Sequence, residues 1–391
     1  MVSTSAVAAF LSFACERTPA RNGWTGATDT LASTHIVVRN TADPTWHERE
    51  RWRISEEWRI GRAVGDGPDV FGRIQSLQVD HAGRVWVLDG LAHRLVVFDG
   101  SGTHVMTTGR EGEGPGEFTR PEHVEQGPDG SMWVVDVGAN RISRFDATGR
   151  YLDSRSIPSG YPITPWRGGF DASGRFYTPV AAPPVESEQV AFTYVRHDSA
   201  FVPIDTLRRP HDPNVRQTFE FQGTVGRIPL QGSLVWQLTE EGNVLALVTD
   251  EYRLIEFTGR GDTIRSITRL FTPLRVTEGD RVELRTAWEP YLNEGELPSW
   301  WSKLPATKPP VTGLFFQDDE DAIWVEREPG SPEVEERVFD VFDREGRYLG
   351  PVQLPYALAR HPRPVVRGGF LYGVARDELD VAHAVKLRVI T

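Results

Sequence analysis

The segment Gly83–Gly102, GRVWVLDGLAHRLVVFDGSG, is written a second time at Gly130–Gly149 as GSMWVVDVGANRISRFDATG. Nine of the twenty positions are identical, and the offset is 47 residues. The likeness begins earlier, because GDGPDVF (Gly65–Phe71) matches GEGPGEF (Gly112–Phe118) at the same offset. Within each copy, VWVLD and MWVVD are apolar at consecutive positions, the pattern of a strand covered on both faces. RLVVFD and RISRFD follow after a four-residue turn, which predicts a hairpin. GTHVMTTG and GRYLDSRSI then supply a third strand beyond a Gly turn.

Weaker copies follow. GGFDASGRFYTPVA (Gly168–Ala181) has Tyr177 at the Trp position, and EEGNVLALVTDEYRLIEFTGRGDTI (Glu240–Ile264) has Gly242 at the turn. DDEDAIWV (Asp318–Val325) restores Trp324, and Gly346–Leu349 repeats the GRYL of Gly149–Leu152. The last copy, Val365–Ile390, stops about one strand short, and RWRISEEWRIG (Arg51–Gly61) supplies a strand ahead of the first. Six units of 40 to 50 residues with this rhythm predict an all-β, six-bladed β-propeller over 51–391. A ring must close or leave an open sheet edge, so residues 52–60 are predicted to pair with 383–390.

The run GREGEGPGEFTRPEHVEQGPDGSMWVVDVGANRISRFDATG resembles an NHL-type repeat of bacterial six-bladed propellers. It also resembles exported propeller (lipo)proteins that carry the same G-x-G-P-G-E-F run. The resemblance implies the fold. It says little about function, because propellers host unrelated tasks.

The 391 residues are 39% hydrophobic and 25% charged, with a net charge of −12. An acidic surface repels phosphate backbones, which argues against nucleic acid as a partner. No stretch reaches the roughly 20 apolar residues of a membrane helix. The run AVAAFLSFAC, Ala6–Cys15, suits a signal-peptide core. Its end resembles a lipobox in which Cys15, the only cysteine, is lipidated; Phe13 and the absence of Lys or Arg before it depart from that pattern. Residues 1–15 are thus expected as an export segment and 16–50 as a tether with a short strand at His35–Arg39. A lipid anchor there would be the chain's only membrane attachment, on the bacterial periplasmic side or at the cell surface.

Most of the repeated residues are expected to build. Trp86 and Trp133 read as packing between blades. Asp89 with Arg94, and Asp136 with Arg141, read as clamps on the hairpin turn. Functional residues are sought where the repeat breaks, since propeller loops carry binding sites. One insertion, 208–229, contains His211. Another, 272–313, predicts a short helix near 277–289 with Thr277 as N-cap, followed by Trp300 and Trp301. These rings are expected either to cover a ligand or to anchor the insertion. Arg73 and Arg120 stand in register just before the first strands of two repeats, and Lys308 and Arg363 precede prolines as Arg120 does. Four such cations could ring one channel mouth and favour an anionic ligand.

No G-x-S-x-G, H-E-x-x-H or P-loop motif is present. The preferred reading is therefore an exported, non-enzymatic module that binds a protein or small-molecule ligand on its loop-bearing face. The alternative is a metal-dependent hydrolase or lyase, lactonase-like, with a divalent cation such as calcium in the channel. Its candidate residues are Gln75, Glu122 and His123, on the predicted inner strands.

Overall fold

The computed structural model describes residues 23–31, 35–157, 164–182, 191–293, 295–330 and 336–391; Cys15 and the apolar run before it lie outside the described residues. Six antiparallel four-stranded units follow one another around a ring. Their innermost strands are Ile74–Val79, Pro121–Gln126, Gly169–Phe170, Leu234–Leu238, Val311–Gln317 and Val365–Arg367, which define blades 1 to 6.

The second strands carry the apolar runs. Val85–Asp89, Met132–Asp136 and Val244–Val248 are buried at every position. Each is covered by the blade on either side: Trp86 and Leu88 of blade 1 pack with Val124, Val134 and Phe145 of blade 2. Trp133 of blade 2 packs in turn with Trp166 and Phe176 of blade 3. Both tryptophans are therefore inter-blade residues, as their repetition predicts.

Closure follows the predicted register. Arg53–Ile60 runs antiparallel to Ala382–Ile390, from Arg53 opposite Ile390 to Ile60 opposite Ala384. The first strand of the propeller thus becomes the outer strand of its last blade, and no inner gap is left.

Part of the segment expected as a tether is folded. Ala27–Leu31 and His35–Asn40 form a hairpin that extends blade 4 to six strands. His35–Asn40 lies parallel to the outer strand Thr263–Arg269. Burial of Val37 and Val38 explains why this stretch docks rather than dangles. The chain then crosses blade 5, where Asn40 Nδ2 donates to Gly346 O (3.0 Å) and Thr45 Oγ1 to Tyr348 O (2.6 Å). Trp46 and Trp52 pack in sequence against Trp324 as tilted ring pairs, with centroids 4.9 and 5.7 Å apart. The N-terminal segment is a belt over three blades.

In a four-stranded antiparallel blade the first strand starts and the last strand ends on the same side. Every segment joining one blade to the next therefore arrives at one face of the ring. Both insertions lie among these segments. The 208–229 insertion contains a hairpin, Thr218–Phe221 with Thr224–Arg227. The 272–313 insertion contains the expected helix, α1 (Glu278–Trp288). Thr277 Oγ1 accepts the Asp280 N–H (3.1 Å) and Asp280 Oδ2 accepts the Thr277 N–H (2.7 Å), a reciprocal cap.

Candidate functional site

On this face a cavity of about 390 Å³ opens at the channel mouth, within the usual size range of small-molecule sites. Two kinds of wall meet there. The inner strands of blades 1 and 2 contribute Gln75, Ser76, Glu122 and His123. The segments entering blades 3 and 6 contribute Trp166, Arg167, His361 and Arg363. Arg73 stands at the rim, exposed, where the chain enters blade 1.

The blade 1 and 2 wall is tied across the blade boundary. Gln75 Nε2 donates to Glu122 Oε2 (2.9 Å), and the Val124 N–H donates to Ser76 Oγ (3.1 Å). The Ser76 hydroxyl then has one proton and two acceptors, His123 Nδ1 at 3.2 Å and Val124 O at 3.5 Å. Assigning it to the nearer one places the imidazole hydrogen on Nε2. Burial pushes the His123 imidazole down to about 4, so it is neutral at pH 7. Burial also raises the Glu122 carboxyl, opposed by the Gln75 hydrogen bond and by the charges of Arg120 and Arg73.

The opposite wall is cationic. Arg363 crosses the channel from blade 6: its Nη1 donates to Gln237 Oε1 on the inner strand of blade 4, and its guanidinium lies 5.9 Å from the Phe315 ring of blade 5. Enclosure pushes this guanidinium down to about 10, and the charge on Arg167 adds to the fall while Tyr194 opposes it. His361 is lowered by burial first, then by Arg167, Arg363 and Arg360. These groups are close enough to repel one another. Arg167 packs over Phe192 at 5.3 Å. Arg376, the fourth guanidinium of the cavity, is paired with Asp380 at 3.1 Å. Among the described residues, no ion pair is made by Arg73, Arg167 or Arg363.

Of the residues singled out from sequence, the structure brings together Arg73, Gln75, Glu122, His123 and Arg363. Arg120 is exposed and lies outside the cavity lining. Its backbone N–H donates to Asp136 Oδ1 (2.8 Å), as that of Arg73 does to Asp89 Oδ1 (3.0 Å). Lys308 is not at the mouth. It is buried under α1, with Nζ 2.7 Å from Asp280 and 3.5 Å from Glu328. The expected four-cation ring therefore does not form with these members. His211 is exposed on its insertion, away from the cavity. Trp300 is fully buried among Trp288, Phe219 and Trp301, with centroids 5.3 to 5.9 Å apart. Trp301 lies under Arg281 and Arg285. These rings join the two insertions into one body.

The member that sequence reasoning missed is Arg167. The signal was present: Arg73, Arg120 and Arg167 are spaced by 47 and 47 residues. Among the described residues, no group of three or more His, Cys, Asp or Glu side chains could hold a metal ion. Among those residues, Glu122 and His123 form no such group with a third acid or imidazole.

The clamp reading changes in detail. Asp89 and Asp136 accept backbone N–H groups from the residues that enter their blades: Gly72 (3.1 Å) and Arg73 for one, Thr119 (2.8 Å) and Arg120 for the other. Arg94 Nε lies 3.5 Å from Asp89. Arg141 donates instead to the carbonyls of Glu113, Gly114 and Glu117, in the G-x-G-P-G-E-F loop. The repeated pair thus holds the blade entrances in place and leaves the mouth to single residues.

A family profile described as "6-bladed beta-propeller" matches residues 69–205. No curated protein matches the chain. Among solved structures, a protein of Bacteroides fragilis NCTC 9343 named "Putative exported protein" aligns at 12% identity, covering 91% of this chain and 100% of its own, with a TM-score of 0.52. A DUF4221-family member from Bacteroides vulgatus aligns at 10% identity, covering 87% and 99%, with a TM-score of 0.50. Virginiamycin B lyase from Staphylococcus aureus aligns at 12% identity, covering 87% and 100%, with a TM-score of 0.42. At such identities the likeness is one of fold. The blade count, the closure register and the matched profile agree that the chain is a six-bladed β-propeller.

Proposed function

We propose that this chain is an exported, non-enzymatic binding module that takes a small anionic ligand at the channel mouth. The observation that carries the reading is the meeting of Arg73, Arg167 and Arg363 at one cavity without a carboxylate partner among the described residues. The chain as a whole is acidic, at −12. A positive mouth on such a surface focuses anions from solution. Like charges held in a partly dry site repel, and a bound anion removes that cost. Export rests on the apolar run Ala6–Cys15.

The test is thermal melting of the full chain with phosphate, sulfate and glutarate, repeated with Arg363→Met. A ligand that binds only the folded state raises the melting temperature by mass action. At least one anion should do so in the wild type and not in the variant. No shift with any anion, or an equal shift in the variant, overturns the reading.

The metal-dependent hydrolase reading draws on one observation, the adjacency of Glu122, His123 and Gln75 in the same cavity. A melting temperature that falls with chelator and returns with calcium would move it forward. Lactone hydrolysis would then be the assay.

A further inference from the structure

The cavity at the mouth is not uniformly cationic, and its one carboxylate is placed to be used. Glu122 Oε2 accepts from Gln75, while Oε1 has no partner among the described residues. Gln75, His123, Arg73 and Arg120 are the groups that face it. His123 offers only a neutral ring, so no cation of the protein pairs directly with Glu122. Arg120 first, and then Arg73, act on it at longer range; of the two only Arg73 lines the cavity. Across the cavity stand Arg167 and Arg363, also unpaired.

A ligand that is only an anion would enter against Glu122 and be repelled by it. A ligand with a cationic end turns that repulsion into an ion pair. Glu122 and Arg73 line the same cavity with opposite charges, the complement of an ammonium and a carboxylate on one ligand. Arg167 and Arg363 lie on the far wall and can take a second carboxylate, Arg through a planar fork of donors suited to it. Two carboxylates and one ammonium on a ligand would thus each meet an oppositely charged group, the second carboxylate shared by two guanidiniums.

We propose that the mouth binds an acidic α-amino acid: ammonium on Glu122, α-carboxylate on Arg73, and side-chain carboxylate on Arg167 and Arg363. This rests on the reading of the mouth as an anion site and adds the requirement for a cationic end. Trp166, which lines the same cavity, is 6% exposed, and its buried indole N–H has no partner among the described residues.

Calorimetric titration of the full chain with L-glutamate, glutarate and inorganic phosphate tests it. Glutarate keeps both carboxylates and lacks the ammonium. L-Glutamate should bind at least about tenfold more tightly than glutarate. In Glu122→Gln the preference should vanish, with glutamate falling to the glutarate level. Glutarate binding as tightly as glutamate in the wild type overturns the proposal and leaves the anion reading standing. A preference that survives in Glu122→Gln also overturns it. If neither carboxylate nor phosphate binds, the anion reading fails with it. The wild-type comparison needs no variant, so a misfolded Glu122→Gln would not remove the test.

Discussion

Blades 1 and 2 are near copies, and they anchor the same tryptophan in different ways. In blade 1 the turn begins with Asp80, whose Oδ2 accepts the Trp86 indole N–H at 2.9 Å. The same carboxylate takes the backbone N–H groups of Ala82 and Arg84. Blade 5 repeats the device with Asp318 and Trp324 at 3.0 Å, and blade 3 uses Asp171 and Tyr177 at 2.9 Å. Blade 2 has Gly127 at the aspartate position. There the Trp133 indole N–H has no partner among the described residues. The ring has moved into the vacated space: a Cβ on Gly127 would lie 2.3 Å from Trp133 Nε1. It packs instead against Phe170 and Phe201 of blade 3, with Arg144 over it at 5.5 Å. One repeated residue thus serves as a hydrogen-bonded pin in one blade and as an aromatic bridge in the next. Identity of residue does not carry identity of contact.

The largest effect should come from truncating the pins. Trp86→Ala should lose about 3–5 kcal/mol of stability in urea unfolding, the range for a buried tryptophan. Trp133→Ala should lose less, by about 1 kcal/mol, because no indole hydrogen bond goes with it. Equal losses would mean that the aspartate contributes nothing to holding the ring.

Next come the partners themselves. Asp80→Ala leaves a buried indole N–H and two turn amides unpaired and should cost about 1–3 kcal/mol. The reverse exchange, Gly127→Asp, should also destabilise, since the indole occupies the space its side chain needs. A rise in melting temperature would show that Trp133 can swing to the blade 1 arrangement.

A third difference is one of charge. Glu125 of blade 2 stands where blade 1 has Gln78. Burial pushes the Glu125 carboxyl up to about 8, relieved in part by the Phe170 N–H at 3.0 Å. A carboxyl raised on folding stays protonated in the fold after the unfolded chain has released its proton. Its contribution is complete below about 4.5 and is lost as pH rises through about 8. The wild type should therefore lose stability between pH 5 and pH 8. Glu125→Gln, which makes blade 2 resemble blade 1, should flatten that slope. An unchanged slope would place the pH dependence elsewhere.

The smallest contrast is between the two in-register cations. Arg73→Ala should weaken anion binding severalfold. Arg120→Ala should leave it within error, because Arg120 lies outside the cavity lining. Equal effects would show that the mouth draws on Arg120 through long-range charge.

The fold could be read from sequence because its signal is repeated. Blades 1 and 2 share the same two-sided burial, Gly turns and spacing, the later copies keep part of that pattern, and the strand that completes the last blade was visible at Arg53. The site could be read only in part. The mouth takes one or two residues from each blade entrance, so no local motif marks it. Arg73, Glu122, His123 and Arg363 were found because they stand in or near the repeat register. Lys308 shares the Pro that follows Arg120, yet it belongs to an insertion, and α1 claims it through Asp280. Trp300 was open between covering a ligand and anchoring its insertion, because its partners, Phe219 and Trp288, come from two separate insertions. Arg167 continued the 47-residue spacing, but blade 3 has so little inner strand, Gly169–Phe170, that its entrance is hard to recognise.

The ring's closure also sets a timetable. Residues 53–60 are made well before their partners, 382–390, with the rest of the ring between them. At ~5–20 residues per second the early strand waits on the order of tens of seconds before its partner exists. An unpaired strand over that interval invites association with other chains. Its sequence, RISEEWRI, places two arginines and two glutamates among eight residues and leaves few apolar contacts to offer. The charges that decorate the outer edge of blade 6 are thus a safeguard for a chain that cannot yet be a ring.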